Sequence, residues 1–509
     1  MNTERGANAG LPASGVGAEL RTWGRAIPAS RNWRVREPFD WRLAPRPPCG
    51  RSGGFVLIIV LVVIMLASMV AASLLFVLSA EHTAAAAGER GEQSMATAMS
   101  GVYQGLRVAA DWSSDSIEWQ DNPAIFQDQL VCDDGLQRWY FSVYSLAEPG
   151  GIRYGLTDEA SKLNLFNAMP AMLETLPNLT PALVQSLLGS LGRAAPVPEP
   201  VSSDEIDSTA DSDNLAVAKS TASWSCLDEV LNVSEFNMAL LYGSYEFRSG
   251  RLDPESTFAP ISTSSEGLNA QVLGGLSQFL TVCSYDPNLD HEGQPRVNLN
   301  DPDADLAKVA LPESAGAYIE AMHRNGQSLA HPVELLEARA SFKDERGKEI
   351  DFSSGIGKAE LPLLLDRCTA TDQERLTGLV NLNTAPARVL AALPGLNEPL
   401  AESIVSARVG LSPEAKKTSA WLYQEGILNA DAFRQAAPYL TTRSSQFHFF
   451  VAAYAIPAGN YRVLEVVVDG AVKPPVVLML REVSRLGLPF VPGSAEQVAH
   501  NPPNPGVRL

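Results

Sequence analysis

Apolar and polar positions divide the chain into regions of different texture. From Phe55 to Ala80 run 26 residues with no charge, and Ser68, Ser73 and Ser79 are their only polar side chains. As a helix this run reaches about 39 Å, more than the ~30 Å hydrocarbon core of a bilayer, so it reads as a single membrane span. Beyond it, Met95, Ala98, Val102, Leu106 and Ala109 recur at spacings of three and four. That stripe predicts one helix continuing from Phe55 to about Asp111. Gly88, Gly91, Gly101 and Gly105 weigh against it by up to ~1 kcal/mol each, but no Pro interrupts it.

The next pattern is β-like. Trp139–Ser145, the turn Glu148-Pro149-Gly150-Gly151 and Ile152–Leu156 read as a hairpin of aromatic and β-branched residues. Phe447–Ile456, Tyr461–Asp469 and Val476–Val483 read as three more strands near the C-terminus. Mostly helical sequence lies between. The pattern therefore predicts an α+β fold, in which a mostly α-helical domain is inserted into a sheet whose strands come from both ends. Within that domain Leu163–Asn167, Val297–Asn300 and Val380–Asn383 share an apolar-Asn-Leu core. The longest copy, residues 380–408, predicts a helical hairpin: Asn383 or Thr384 caps a helix with Pro386 in its first turn, Pro394-Gly395 turns the chain, and Leu400, Ile404 and Val405 face inward. Residues 193–222 and 244–268 are polar, linker-like loops.

Charge adds direction. Residues 1–54 hold nine Arg and no Lys against Glu4, Glu19, Glu37 and Asp40, so this leader is basic although the whole chain carries −19. The positive-inside tendency keeps such an N-terminus cytoplasmic and sends the bulk across the membrane. The acidic remainder argues against nucleic-acid binding as a general property. In the 380–408 hairpin, Asn397-Glu398-Pro399 and Glu402 stand where a phosphate site needs Gly and Lys, which favours a scaffold over a DNA-binding element.

Candidate chemistry is sparse. Asp286, Asn288, Asp290 and Glu292, with Asp301, Asp303 and Asp305, offer the hard oxygen ligands that calcium prefers, but His291 stands where an EF-hand loop needs Gly. Cys132, Cys226, Cys283 and Cys368 allow up to two disulfides with three pairings, or four unpaired thiols, and their spacing does not choose. The pair Asp158-Glu159 reads as an exposed loop or helix cap rather than as an acid/base couple. No nucleophile, metalloprotease or phosphate-loop motif occurs, so nothing supports an enzyme.

Three features together resemble the K-type minor pseudopilin of the type II secretion system. Gly54-Phe55, between an Arg-containing leader and a long apolar helix, resembles a prepilin peptidase site. Gly155–Leu165 is similar to that family's segment after the first hairpin, and residues 380–396 to its additional helical module. The resemblance implies cleavage after Gly54, N-methylation of Phe55, and a pilin-type helix packed on an antiparallel sheet. It divides the chain into a leader (1–54), a transmembrane and assembly helix (55–112), a pilin-like part (113–162), the helical insertion (163–440), completing strands (441–485) and a tail (486–509). Ile59 takes the fifth mature position, where most pilins place Glu to meet a neighbour's terminal amine. Absence of that Glu is a K-type trait and points to the pseudopilus tip, because a carboxylate with no neighbour above it only adds desolvation cost. The implied setting is the inner membrane, crossed once, with the bulk periplasmic. The implied partners are other minor pseudopilins, the major pseudopilin, prepilin peptidase and the inner-membrane assembly platform. Family members bind calcium in the helical part, which makes the 286–305 cluster the candidate for it. A membrane-tethered DNA-uptake protein using residues 380–408 is the alternative, and an exported hydrolase with a signal anchor has no motif behind it.

Overall fold

The computed structural model describes residues 53–110, 119–147, 151–193, 224–250, 274–343 and 348–492. The chain divides into two units, Met1–Ser79 and Ala80–Leu509. Residues 1–52 of the leader and most of both linker-like loops lie outside the described residues. The 244–268 reading is corrected at its start, where the Ser244 hydroxyl accepts from Phe247 N at 3.2 Å and caps a short helix, Tyr245–Arg248.

Helix α1 spans Gly53–Ala110 without a break, as its pattern predicts. Along Phe55–Leu78 its large apolar side chains are exposed on every side. Ser68 and Ser79 turn their hydroxyls back onto the carbonyls of Ile64 and Phe76, at 2.7 and 3.0 Å, so these polar atoms are satisfied within the helix. This is one helix long and apolar enough to cross a membrane.

In the second unit, α1 buries Thr97, Ala98, Val102 and Ala109 against an antiparallel sheet. The sheet is ordered β1 (Gln129–Asp133), β2 (Arg138–Leu146), β3 (Gln446–Ile456), β4 (Tyr461–Asp469), β5 (Val476–Glu482). Strands from before and after the helical stretch therefore meet at the β2–β3 pairing, where Val143 faces Val451 and Phe141 faces Ala453. Phe141, Val143, Phe449, Val451, Leu464 and Val466 alternate toward α1. The opposite face carries Tyr144, Phe450, Tyr454 and Val463. Leu488 and Phe490 cover that face, with Phe490 5.5 Å from Tyr454 ring to ring, so the first residues of the expected tail belong to the core.

Two glycines that counted against the helix are what let it approach the sheet. A Cβ on Gly101 would stand 2.4 Å from Val451 Cγ1, and one on Gly105 would stand 2.3 Å from the Phe449 ring. Gly88 and Gly91 have nothing within 4 Å. Gly105→Ala is expected to destabilise the protein by about 1–3 kcal/mol through overpacking. Gly88→Ala should stabilise it by up to ~1 kcal/mol through helix propensity alone. Thermal unfolding of the detergent-solubilised chain, followed by circular dichroism, checks both; equal effects would contradict the packing account.

Candidate functional site: three repeated stems around buried carboxylates

The apolar-Asn-Leu copies are one structural device used three times. Leu163-Asn164 pairs in parallel with Leu280-Thr281, Val297-Asn298 with Cys368-Thr369, and Val380-Asn381 with Leu440-Thr441. Each pairing closes a helical module into a stem. In each, the amide two residues after the Asn donates to its Oδ1: Phe166 N and Asn300 N at 3.0 Å, Asn383 N at 2.9 Å. The intervening Leu is fully buried, and its amide donates to the carbonyl of the stem Thr at 2.8–2.9 Å. Its own carbonyl is met from inside the module, by Arg193 on Leu165 at 2.7 Å, His323 on Leu299 at 2.9 Å and Arg408 on Leu382 at 3.1 Å. Asn is suited to the position because its short amide can accept from its own backbone and donate outward at once.

The outward amide builds the junction between modules and sheet. Asn381 Nδ2 donates to Asp158 Oδ2 at 2.8 Å, and the Thr384 and Ser444 hydroxyls reach the same oxygen at 2.6 and 2.7 Å. Asp158 Oδ1 accepts from Ala160 N at 2.9 Å and so caps a 3-10 turn, Glu159–Ser161. Thr157-Asp158 itself pairs with the start of β3, Asp158 facing Phe447. Glu159, also buried, is held by Lys162 at 2.6 Å and by the Thr281 hydroxyl. Asp286 accepts from Thr441 Oγ1 at 2.7 Å. The expected cap role of Asp158 is present, but both acids are buried rather than in an exposed loop.

Burial pushes the Asp158 carboxyl up to about 6, against the lowering effect of its hydrogen bonds from Thr384, Ser444, Ala160 and Asn381. Burial would also raise Glu159, but Lys162 and His448, with hydrogen bonds from Lys162 and Thr281, bring it below the usual range. Beside them His448 Nε2 stands 3.1 Å from Glu465 Oε1, and Arg481 joins Glu465 to Asp228. This charge chain links β3, β4 and β5 to the first module.

The other site residues of the sequence disperse. Asp286, Asn288 and Asp290 lie in one buried loop, while Asp301 and Asp303 are exposed in a later turn. Asp286 Oδ1 accepts from Asn288 N at 2.9 Å, and Asp290 Oδ1 from Glu292 N and Gln294 N at 2.9 and 2.7 Å. Asp301 Oδ1 accepts from Asp303 N at 3.0 Å. These carboxylates act as turn caps, and among the described residues no group of three or more His, Cys, Asp or Glu is placed to hold a metal. Cys132, Cys226, Cys283 and Cys368 are free thiols on separate elements. In the third hairpin the second helix, Glu398–Gly410, is capped by Asn397, whose Oδ1 accepts from Leu400 N at 3.0 Å. The capping expected of Asn383 or Thr384 is replaced: Asn383 Nδ2 reaches Lys416 O and Thr442 O, and Thr384 serves Asp158. Gly54, Phe55 and Ile59 all fall in the first turns of α1. The chain matches no protein-family model and no curated protein.

Two outcomes follow for the junction. Asn381→Ala removes a donor from a buried carboxylate and the stem's turn, at an expected cost of about 2–4 kcal/mol in denaturant unfolding; a loss below ~0.5 kcal/mol would contradict its role. Asp158 has a folded value of about 6, above the ~3.9 of an unfolded chain, so its contribution is fully present below pH ~4 and is lost as pH rises through 6. Relative to wild type, Asp158→Asn should therefore gain about 2–3 kcal/mol between pH 4 and pH 7, and parallel pH profiles would refute this assignment.

Proposed function

We propose that the chain is a K-type minor pseudopilin that caps and helps to initiate the periplasmic pseudopilus of type II protein secretion. The observation that carries this reading is α1. One unbroken helix presents an uncharged apolar surface over Phe55–Leu78 and then packs through Ala98, Val102 and Ala109 on an antiparallel sheet drawn from both ends of the sequence. Before assembly the apolar half is held in the inner membrane. After cleavage at Gly54-Phe55 the same surface packs against the helices of other pseudopilins on the assembly platform.

Ile59 supports a place at the tip, since a first subunit has no neighbour's terminal amine to neutralise and a Glu there would carry only its desolvation cost. The helical modules between β2 and β3 support it sterically, because shaft subunits stack closely and a large addition hinders identical neighbours. The DNA-uptake alternative gains no favouring observation: the 398–410 helix opens with Glu398 in its first turn and spends its cap on Asn397.

Co-expression with a prepilin peptidase, followed by sequencing of the product's N-terminus, tests the reading. The mature chain should begin at N-methylated Phe55, and Gly54→Val should leave it unprocessed. A different start, or no processing, refutes it. In purified pseudopili the mature chain should be far less abundant than the major subunit; an abundance comparable to the shaft subunit would exclude the tip.

A further inference from the structure

Beside the stems of the second and third modules lies a half-open cleft of about 260 Å³, lined by Asp286, Arg296, His331, Thr369, Gln373 and Lys417, among others. Its polar inventory is one-sided. The Arg296 side chain is 13% exposed; its Nε donates to Asp366 O at 3.0 Å, and Nη1 stands 3.7 Å from Asp286. Asp286 already accepts from Thr441 Oγ1 and Asn288 N. The guanidinium therefore keeps N–H groups without an acceptor among the described residues.

His331 adds a second donor. Its Nδ1 accepts from Val333 N at 3.2 Å, so the neutral ring carries its proton on Nε2. Burial, with Arg296 nearby, holds this imidazole down to about 4, which keeps the ring neutral at physiological pH. The Thr369 and Thr377 hydroxyls and the Gln373 amide line the same wall and make no side-chain hydrogen bond among the described residues. Lys417, tied to Glu414 at 2.6 Å, contributes positive potential. The one carboxylate of the wall is thus satisfied, whereas a guanidinium, an imidazole N–H and hydroxyls remain available. A guanidinium whose free N–H groups face a cleft can give a small oxyanion charge-assisted hydrogen bonds, which makes such an anion its natural complement.

We propose that this cleft binds a small oxyanion, a carboxylate or phosphate no larger than citrate, received by the Arg296 fork and the Nε2–H of His331. The net charge of −19 disfavours the approach of anions in general, so selectivity must come from the local donors of this wall. A ligand there would bridge the second and third modules and stabilise their mutual packing.

The test uses the full chain in detergent, titrated with citrate, inorganic phosphate and chloride at matched ionic strength, with thermal unfolding and calorimetry as readouts. A saturable rise in Tm is expected with citrate or phosphate and not with chloride. A response to citrate alone assigns a carboxylate ligand, a response to phosphate alone a phosphate, and either supports the site. Arg296→Gln should weaken binding by about tenfold or more. His331→Asn keeps an oxygen for Val333 N while removing the Nε2 donor, and should weaken binding several-fold. Thr377→Val changes an exposed hydroxyl of the wall; it guards against a folding defect and should also weaken binding. The proposal is overturned if no anion gives a saturable response beyond chloride, or if Arg296→Gln and His331→Asn titrate as wild type does.

Discussion

A carboxylate taken out of water must be met by donors or by a cation, and the chain from Thr157 to Ser444 is organised around meeting that demand for Asp158 and Glu159. Asp158 collects Asn381, Thr384 and Ser444, residues that lie more than two hundred positions later in the chain. Glu159 collects Lys162 and Thr281. Because Asp158 also pairs with Phe447 at the start of β3, these bonds tie the third module to the sheet and the first module to the same turn. The geometry of the second unit therefore hangs on a few polar contacts in a buried junction.

The helix works under a different constraint, since its two halves meet different surroundings. Phe55–Ala80 can be apolar all round because none of the described residues covers it. The second half must instead fit closely against β2, β3 and β4, and there the demand is for small residues. Gly101, Gly105, Ala98 and Ala109 let the backbone approach Val451 and Phe449. Propensity and packing conflict at Gly101 and Gly105, and packing prevails because the buried sheet face outweighs up to ~1 kcal/mol per glycine.

Legibility followed the range of the forces involved. The limits of α1 and the three C-terminal strands were readable because composition and punctuation are local: Phe447–Ile456 is a nearly continuous aromatic and apolar run, and Pro457 and Gly459 end it. The apolar-Asn-Leu copies were visible as a faint repeat, yet their partners Thr281, Thr369 and Thr441 were not, since an apolar-Thr pair has no distinctive local signature. A spacing of three from each Thr to Ser284, Asp372 and Ser444 was the one further sign in the sequence. Asn164 and Asn381 donate to the first and last of these, and Asn298 to Asp372 at 2.7 Å. Leu488 and Phe490 were missed because two apolar residues among Pro and Gly carry no periodicity.

The sequence by itself determined what depends on neighbours along the chain: an uncharged run long enough to cross a bilayer, a helix with no Pro, strands rich in aromatic and β-branched residues, and the absence of a carboxylate at Ile59. Only the tertiary structure decided which polar groups meet. It brought Asp158 to Asn381, turned Asp286, Asp290 and Asp301 into turn caps, and gathered Arg296 and His331 on one cleft wall. The physical reason is that burial assigns the cost of an unmet polar group, and burial is a property of the folded whole rather than of any stretch of residues.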